Sequence, residues 1–304
     1  MAPMPMTPPS ADGVEIWYTT DGDQTSGEPL QLVMGLGAQH LLWDDGLVEL
    51  LVERGFFVIR HDNRDVGLSS KAAVGDLPLL DRLLTAMGGE AVEAPYYLRD
   101  MAADAVAVLD DLGLDSAHVV GASMGGMIGQ TMAIEQPERV RSLTSIMSTT
   151  GGMLVGQPSP GIVRQLLRRP PTGREQIAAH AERLFRVIGS PEPHFDGPAI
   201  RQQALRSFDR GFNPAGSARH MGAVVAARSR ARELAQVKAP TTVIHGKLDR
   251  LVPISGGRAT ARAIPGAKLV EIDGMGHDMP RVMWPQILDA IEANARSDDD
   301  PSVE

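Results

Sequence analysis

The feature that most constrains the fold is a serine flanked by glycines at the end of an apolar run. Ser123 is the centre of a Gly-x-Ser-x-Gly motif that follows residues 117–121 and leads directly into a helical pattern. This arrangement is typical of the sharp strand-to-helix turn that exposes a nucleophilic serine above a parallel sheet. Positions 121 and 125 favour glycine, because a Cβ there would clash where the backbones of the strand and the helix approach closely. The following helix would point its free N–H groups at an anion beside Ser123.

Strand and helix patterns alternate along most of the chain. The predicted strands are residues 14–19, 31–34, 56–59, 117–121, 143–147, 241–245 and 268–272. Helical spacing separates them, for example at 41–54, 98–112 and 254–264. This alternation indicates an α/β fold with a mostly parallel sheet and helices on both faces.

One long segment interrupts that alternation. Residues 149–235 contain several amphipathic helical patterns and no convincing strand, which predicts a helical cap inserted after the sixth strand. The predicted division is a flexible N-terminus (1–13), an α/β core (14–148 and 236–296), the cap (149–235) and a disordered acidic tail (297–304).

Composition excludes several classes of function. The chain has no cysteine, so disulfides, thiolate metal sites and a cysteine nucleophile are excluded. A net charge of −9 argues against nucleic acid or an anionic membrane as the main partner. No stretch reaches the roughly 20 apolar residues of a membrane span, and residues 1–12 lack the pattern of a signal peptide. We therefore expect a cytoplasmic protein; the oligomeric state stays open.

A serine hydroxyl needs a base to take its proton and a carboxylate to orient that base. On this type of fold the chain order is nucleophile, acid, base, with the last two on loops after late strands. His277 follows the strand at 268–272 in a glycine-rich loop, and Asp249 follows the strand at 241–245. We therefore predict Ser123, Asp249 and His277 as the catalytic residues.

Other acids and histidines receive structural interpretations. Asp278 adjoins His277, but neighbours on a loop usually point apart, so it ranks below Asp249; Asp273 is interpreted as a loop-capping residue. Among eight histidines, His40 is the best candidate for a non-catalytic histidine of the pocket.

Hydrolysis also requires donors for the negative charge that forms on the carbonyl oxygen. We predict the N–H of Met124, the residue after the nucleophile, and that of Leu36, in the glycine-rich turn after the second strand. That turn also resembles phosphate-binding loops, but it has no Gly-Lys-Ser/Thr and no complete dinucleotide motif.

With these residues identified, the chain resembles the α/β-hydrolase fold serine hydrolases from about Val14 to Ala295, and within them the branch containing aclacinomycin methylesterase and related actinobacterial carboxylesterases. The segments that carry the resemblance are 33–37, 61–69, 121–126, 246–249 and 274–277. It implies an eight-stranded, mostly parallel sheet and the triad and oxyanion residues named above. The 61–69 segment departs from the common Asp-x-Arg-Gly pattern, with Asp65-Val66 where glycine is usual. We interpret Asp62 and Arg64 as structural anchors.

The predicted function is hydrolysis of carboxylic esters, with short to medium acyl or methyl esters as substrates and without a metal or organic cofactor. Predicted substrate-contacting residues are Met34, Gly35, Met127 and Met275, although methionines at such positions also fill ordinary cores. Alternatives on the same fold are a cofactor-free perhydrolase or haloperoxidase, a C–C bond hydrolase and a lipase. A small-molecule receptor on a hydrolase scaffold is the alternative that is not an enzyme.

Overall fold

The computed structural model describes residues 5–10, 12–72, 92–166 and 171–299. These residues form one seven-stranded sheet in the order β1-β3-β2-β4-β5-β6-β7. The strands are β1 Tyr18–Asp21, β2 Glu28–Val33, β3 Phe56–His61, β4 Ala117–Ala122, β5 Val140–Ile146, β6 Thr241–Gly246 and β7 Lys268–Ile272. β1 runs antiparallel to β3, and the other neighbouring pairs are parallel. The expected mostly parallel α/β sheet is confirmed.

Helices connect these strands. They are α1 Asp45–Glu53, α2 Leu98–Asp111, α3 Met124–Glu135, α4 Pro160–Leu166, α5 Arg174–Ile188, α6 Gly197–Gly211, α7 Pro214–Ala226, α8 Ala231–Leu234, α9 Ser255–Ala263 and α10 Trp284–Ala295. Short 3₁₀ turns lie at His40–Leu42, Pro137–Arg139, Arg281–Met283 and Arg296–Asp299. No helix among the described residues is both long and apolar enough to span a bilayer.

The centre of the sheet is covered on both faces, as the apolar strand sequences require. All six residues of β3, of β4 and of β6 are buried. One core packs α1 and α10 against the sheet around Trp43 and Ile287, and another packs α2 and α3 around Met101 and Ile128. Because β2, β4, β6 and β7 are parallel, the loops after them emerge at one edge of the sheet, where ligand sites of open α/β folds lie.

The strand count and the insertion point differ from the sequence-based expectations. The described residues form seven strands instead of eight, and the long helical segment follows β5, the fifth strand. Near the N-terminus, Met6 and Trp17 form only an isolated antiparallel bridge. Residues 5–10 nevertheless contact the fold: Thr7 is buried, and its hydroxyl accepts a hydrogen bond from the Ile16 N–H at 3.0 Å. The predicted tail begins within the turn Arg296–Asp299, and its residues 300–304 lie outside the described residues.

Between β5 and β6 the chain forms helices α4 to α8, which we name the helical insert. Its helices α5 and α6 pack against each other, and α7 and the end of α5 contact loops of the core. The insert therefore has fixed contacts with the edge of the sheet from which the loops emerge.

Candidate active site

Ser123 occupies a strained turn between β4 and α3. Its backbone has φ 56° and ψ −119°, in a region that residues other than glycine rarely adopt. A Cβ at Gly121 would collide with the backbone of Gly125, and a Cβ at Gly125 with the carbonyl group of Val33. The Ser123 N–H donates to the Ile146 carbonyl at 2.9 Å. Glycines on both sides and this hydrogen bond hold the strained serine, as persistence of backbone strain requires.

Three side chains distant in sequence meet at this turn. Nε2 of His277 lies 3.0 Å from Oγ of Ser123, and Nδ1 of His277 lies 2.7 Å from Oδ2 of Asp249. The carboxylate accepts only, so Nδ1 carries the proton and Nε2 is left as an acceptor for the serine hydroxyl. The structure therefore brings Ser123, His277 and Asp249 into one hydrogen-bonded chain, in the order that sequence analysis predicts.

The backbone around Asp249 fixes its buried carboxylate. Oδ1 accepts hydrogen bonds from the N–H groups of Leu251 and Val252, both at 2.9 Å, which leaves Oδ2 for His277. The N–H of Leu248 donates to the Met275 carbonyl at 2.9 Å and so ties the Asp249 loop to the His277 loop. The distance between acid and base is thus set by main-chain contacts.

A second histidine lies behind the acid. Nε2 of His245 donates to the Val252 carbonyl at 2.7 Å and is 3.6 Å from Oδ2 of Asp249. Burial lowers the pKa of His245 below its ordinary value. A neutral His245 places no cation beside Asp249 that could compete with His277.

The predicted oxyanion donors lie on both sides of Ser123. Met124 is the first residue of α3, so its N–H is one of the free donors at that helix N-terminus. Opposite lies the glycine loop, residues 35–37, where a Cβ at Gly35 would be 3.1 Å from the Cβ of Ser123. Leu36 follows Gly35 in this loop and is half-buried.

A histidine of the helical insert holds the glycine loop. The N–H of Gly37 donates to Nδ1 of His220 at 3.1 Å, and Nε2 of His220 lies 2.7 Å from the Arg64 carbonyl. Ser217, one turn earlier on α7, would collide with a Cβ at Gly37. The glycine loop is therefore in direct contact with α7.

The loop after β3 joins the insert to the core. Asp62 is fully buried and accepts from the backbone N–H and Nδ1 of His40, each at 3.0 Å, and from Arg210 of α6. Although burial by itself raises the pKa of Asp62, hydrogen bonding by His40 and the charge of Arg210 outweigh it and leave that pKa lowered. Arg64 forms a two-pronged pair with Asp104, at 2.6 and 2.7 Å.

Asp65 makes a second connection of this kind. It has φ 72° and is fully buried, and Arg219 of α7 donates to both of its carboxylate oxygens at 2.7 and 2.8 Å. Tyr96 adds a hydrogen bond of 2.6 Å. Burial alone raises the pKa of Asp65, but the hydrogen bonds from Arg219 and Tyr96 outweigh it and lower that pKa.

The insert also holds the loop of His277. The N–H of His277 donates to the Ile188 carbonyl at 2.8 Å, and the Gly276 N–H donates to Oγ of Ser190 at 2.9 Å. Oγ of Ser190 in turn donates to Oδ1 of Asp278 at 2.5 Å. Asp278 thus points away from His277, and burial raises its pKa.

A cavity of about 660 Å³ opens beside Ser123 and His277. Its apolar walls come from the core and from the insert: Met34, Leu42, Val66, Met147, Ile177, Phe185, Ile200, Phe208, Phe212, Met279 and Trp284. Of the predicted substrate-contacting residues, Met34 lines this cavity and Gly35 adjoins Ser123. The size and lining suit a small organic molecule bound with one end at Ser123.

Two predicted pocket methionines belong to the hydrophobic core instead. Met275 is fully buried and packs with Trp284 and Ile287, while Met127 packs with α2 and neither lines the cavity. His40, expected at the pocket, turns to Asp62 and does not line the cavity either. Sequence analysis missed His220 and Ser190, whose partners lie 183 and 86 residues away along the chain. No local motif marks either residue.

The chain is similar in sequence to proteins of a known family. A family profile described as alpha/beta hydrolase fold matches residues 28–280. The rhodomycin D methylesterase of Streptomyces peucetius is 31% identical over 97% of this chain and 99% of its own length. A non-heme haloperoxidase of Rhodococcus erythropolis is 28% identical over 89% of this chain and 92% of its own.

Solved structures agree on the fold. The esterase EaEST from Exiguobacterium antarcticum superposes with a TM-score of 0.72 at 19% identity, over 96% of this chain and 99% of its own. The strand order, the serine turn after β4 and the profile match all point the same way: the chain belongs to the alpha/beta hydrolase fold family.

Proposed function

We propose that the chain is a serine carboxylesterase with Ser123 as nucleophile, His277 as general base and Asp249 as the acid that orients it. The observation that carries the proposal is the hydrogen-bonded chain from Asp249 through His277 to Ser123, with distances of 2.7 and 3.0 Å. Those are the contacts that general-base activation of a serine requires. The similarity to a methylesterase across nearly the whole chain supports the same reaction.

In the acylation step His277 Nε2 takes the proton of Ser123 while Oγ attacks the ester carbonyl carbon. The oxyanion that forms accepts hydrogen bonds from the N–H groups of Met124 and Leu36. The C–O bond to the alcohol then breaks, and the imidazolium returns its proton to the departing oxygen. Water repeats the sequence on the acyl-enzyme and releases the acid. The carboxylate of Asp249 stabilises the imidazolium in both steps.

The proposed substrates are esters of short to medium acyl chains and methyl esters. The aromatic and aliphatic walls of the cavity favour an apolar group next to the scissile bond. Residues 149–235 would form the cap over the site, since Phe185, Ile200 and Phe208 of α5 and α6 supply part of the cavity wall. Met34 is the substrate-contacting methionine that we retain.

Covalent labelling tests the assignment directly. A fluorophosphonate probe should add once, on Ser123, and Ser123→Ala should lose both the adduct and about 10⁴-fold of the turnover of a p-nitrophenyl ester. An unlabelled wild-type protein, or a variant that keeps its turnover, would contradict the proposal. High-affinity binding of a small molecule without turnover would favour a receptor.

The haloperoxidase similarity gives one alternative reaction a specific basis. A perhydrolase uses the same acyl-enzyme but transfers the acyl group to hydrogen peroxide instead of water. Competition between peroxide and water on one acyl ester, read as the ratio of peracid to acid, separates the two activities. An assay with vinylogous diketones tests C–C hydrolysis in parallel, and long-chain triglycerides test lipase activity.

A further inference from the structure

His220 is a buried residue of the helical insert that reaches into the core with both ring nitrogens engaged. Nδ1 accepts from the Gly37 N–H at 3.1 Å, and Nε2 faces the Arg64 carbonyl at 2.7 Å. Burial lowers the pKa of His220 to about 4, against the opposing influence of the hydrogen bond to the Arg64 carbonyl and of the Asp65 charge. The ring is therefore neutral at pH 7, and a carbonyl partner places its single proton on Nε2. Nδ1 is then free to accept.

The helix that carries His220 is itself held in place. Arg219, the preceding residue, forms the two-pronged pair with the buried carboxylate of Asp65. Asn213 directly precedes α7, and its Nδ2 donates to the Asp65 carbonyl at 2.8 Å. The imidazole of His220 is thus presented to the glycine loop from a fixed support.

The hydrogen bond from Gly37 to His220 limits the conformation of the glycine loop next to Leu36. The carbonyl of Leu36 and the N–H of Gly37 share one rigid peptide plane, so fixing that N–H fixes the orientation of the plane. Gly37 has φ 67°, a conformation accessible to glycine, and Ser217 closes the space beside it. The backbone of Leu36 is therefore constrained from its C-terminal side. The Leu36 N–H lies in the preceding peptide plane, which only the φ and ψ torsions of Leu36 separate from the fixed one, and Gly35 in that plane packs against Ser123.

We propose that His220 is a positioning residue for ester hydrolysis: its Nδ1 holds the glycine loop so that the Leu36 N–H points at the developing oxyanion. The proposal rests on the proposed function, because it assigns Leu36 a role in that reaction. It adds a residue of the helical insert to the machinery of the core, although His220 touches neither the substrate nor Ser123.

Two substitutions test the two hydrogen bonds of the His220 imidazole one at a time. The amide oxygen of asparagine reaches the position of Nδ1, so His220→Asn keeps an acceptor for Gly37. The amide of glutamine reaches the position of Nε2, so His220→Gln keeps the donor to Arg64 and loses that acceptor. We expect His220→Gln to lose about 10- to 100-fold in kcat, the range for a misplaced oxyanion donor, and His220→Asn to stay within about threefold. KM should change little in both, because the oxyanion exists only in the transition state.

A tetrahedral analogue supplies a readout that a purely structural role would not move. A trifluoromethyl ketone places an oxyanion at the same donors, so its Ki should rise in His220→Gln by the factor that kcat falls. Equal kcat and Ki for wild type, His220→Asn and His220→Gln would overturn the proposal. Equal losses in both variants would do the same, since packing and not the acceptor would then be at work.

Two controls keep the result interpretable. His118→Asn changes another buried histidine, five residues before Ser123 and bonded to Ser142, and should keep kcat. Ser123→Ala in the same assay distinguishes failure of the proposed function, in which it stays active, from failure of this inference alone. If the His220 variants do not fold, the ¹⁵N chemical shifts of the His220 ring in the wild-type protein show which nitrogen carries the proton. A protonated Nδ1 would overturn the proposal, and a proton on Nε2 would support it.

Discussion

The main-chain N–H of His277 donates to the carbonyl oxygen of Ile188 at 2.8 Å. Ile188 is the last residue of α5, so the proposed general base is hydrogen-bonded through its main chain to a helix of the insert. Ser190 strengthens the same contact by accepting from Gly276 and donating to Asp278. The position of the imidazole therefore depends on residues nearly 90 positions earlier in the chain.

Ser190→Ala tests that dependence. The change leaves the buried Gly276 N–H without its acceptor, which costs about 1–3 kcal/mol in the free energy of unfolding. We expect kcat on a p-nitrophenyl ester to fall by about tenfold, since the His277 loop loosens. Urea unfolding and steady-state kinetics measure the two effects. Ser159→Ala, at an exposed serine directly before α4, is the matched control. An unaltered kcat at Ser190→Ala would contradict the coupling.

Asp249→Asn tests the acid. An amide presents N–H groups to Nδ1 of His277 and disfavours the tautomer whose Nε2 accepts from Ser123. We expect kcat to drop by about 10³- to 10⁴-fold with little loss of stability. Asp273→Asn removes an exposed carboxylate that pairs with Lys247 at 3.0 Å and should leave kcat unchanged. Retention of more than a tenth of the activity in Asp249→Asn would exclude Asp249 as the acid.

Stability should decrease as pH falls from 6.5 to 4. Burial lowers the pKa of both His61 and His220 to about 4 from the ordinary value of 6.5. Between these values the unfolded chain binds more protons than the folded one, so the free energy of unfolding rises with pH. Each histidine contributes a slope of about 1.4 kcal/mol per pH unit.

His61→Gln isolates one of these contributions. Urea unfolding at pH 6, 5 and 4.5 should give a pH slope lower by about 1.4 kcal/mol per unit than that of the wild type. The difference in slope, and not the absolute stability, is the measured quantity, so a destabilised variant still reports it. A slope equal to that of the wild type would show that His61 takes up its proton without unfolding.

Phe208→Ala tests the cavity wall. Phe208 lines the cavity and stacks on Phe212 with ring centroids 5.4 Å apart. Removing the ring should raise KM for a p-nitrophenyl ester with an aromatic acyl group by about tenfold, in line with 1–2 kcal/mol of lost contact. KM for the acetate should change by less than about threefold. Phe208→Leu should be intermediate. Equal KM changes for both esters would show that Phe208 does not contact the acyl group.

The serine turn and the positions of Asp249 and His277 could be predicted because each follows a strand that the sequence pattern shows. Gly121 and Gly125 are required by backbone collisions within one turn, and the sequence shows both. Asp249 and His277 each follow a strand of the parallel sheet, so topology brings their loops to the same edge. The expected number of eight strands was wrong for the described residues, and only seven segments of the sequence carry a strand pattern, which is the number that the sheet contains.

Pocket methionines could not be separated from core methionines by sequence. Met34 lines the cavity, whereas Met127 and Met275 pack between helices and sheet. All three lie within a few residues of predicted site residues, and the same apolar side chain serves both environments. Met34 itself belongs to the core cluster that contains Trp43 and Met275, so a methionine can line the cavity and pack in the core at once.

The hydrogen bonds that the helical insert makes to loops of the core could not be predicted from the sequence, for a different reason. His220 and Ser190 act on loops of the core through single hydrogen bonds that span 183 and 86 residues of chain. Neither residue lies in a motif, and the amphipathic pattern around them predicts only that helices form. Contacts between separately predicted parts require the packed structure.

Asp65 combines two requirements that conflict at the level of the single residue. Its left-handed backbone, φ 72°, is the geometry for which glycine is the easy choice, yet its carboxylate anchors Arg219 and Tyr96. Exchange for glycine would relax the main chain and at the same time remove the ion pair between Arg219 of α7 and the core. The carboxylate at position 65 therefore couples a strained turn of the core to the attachment of the helical insert.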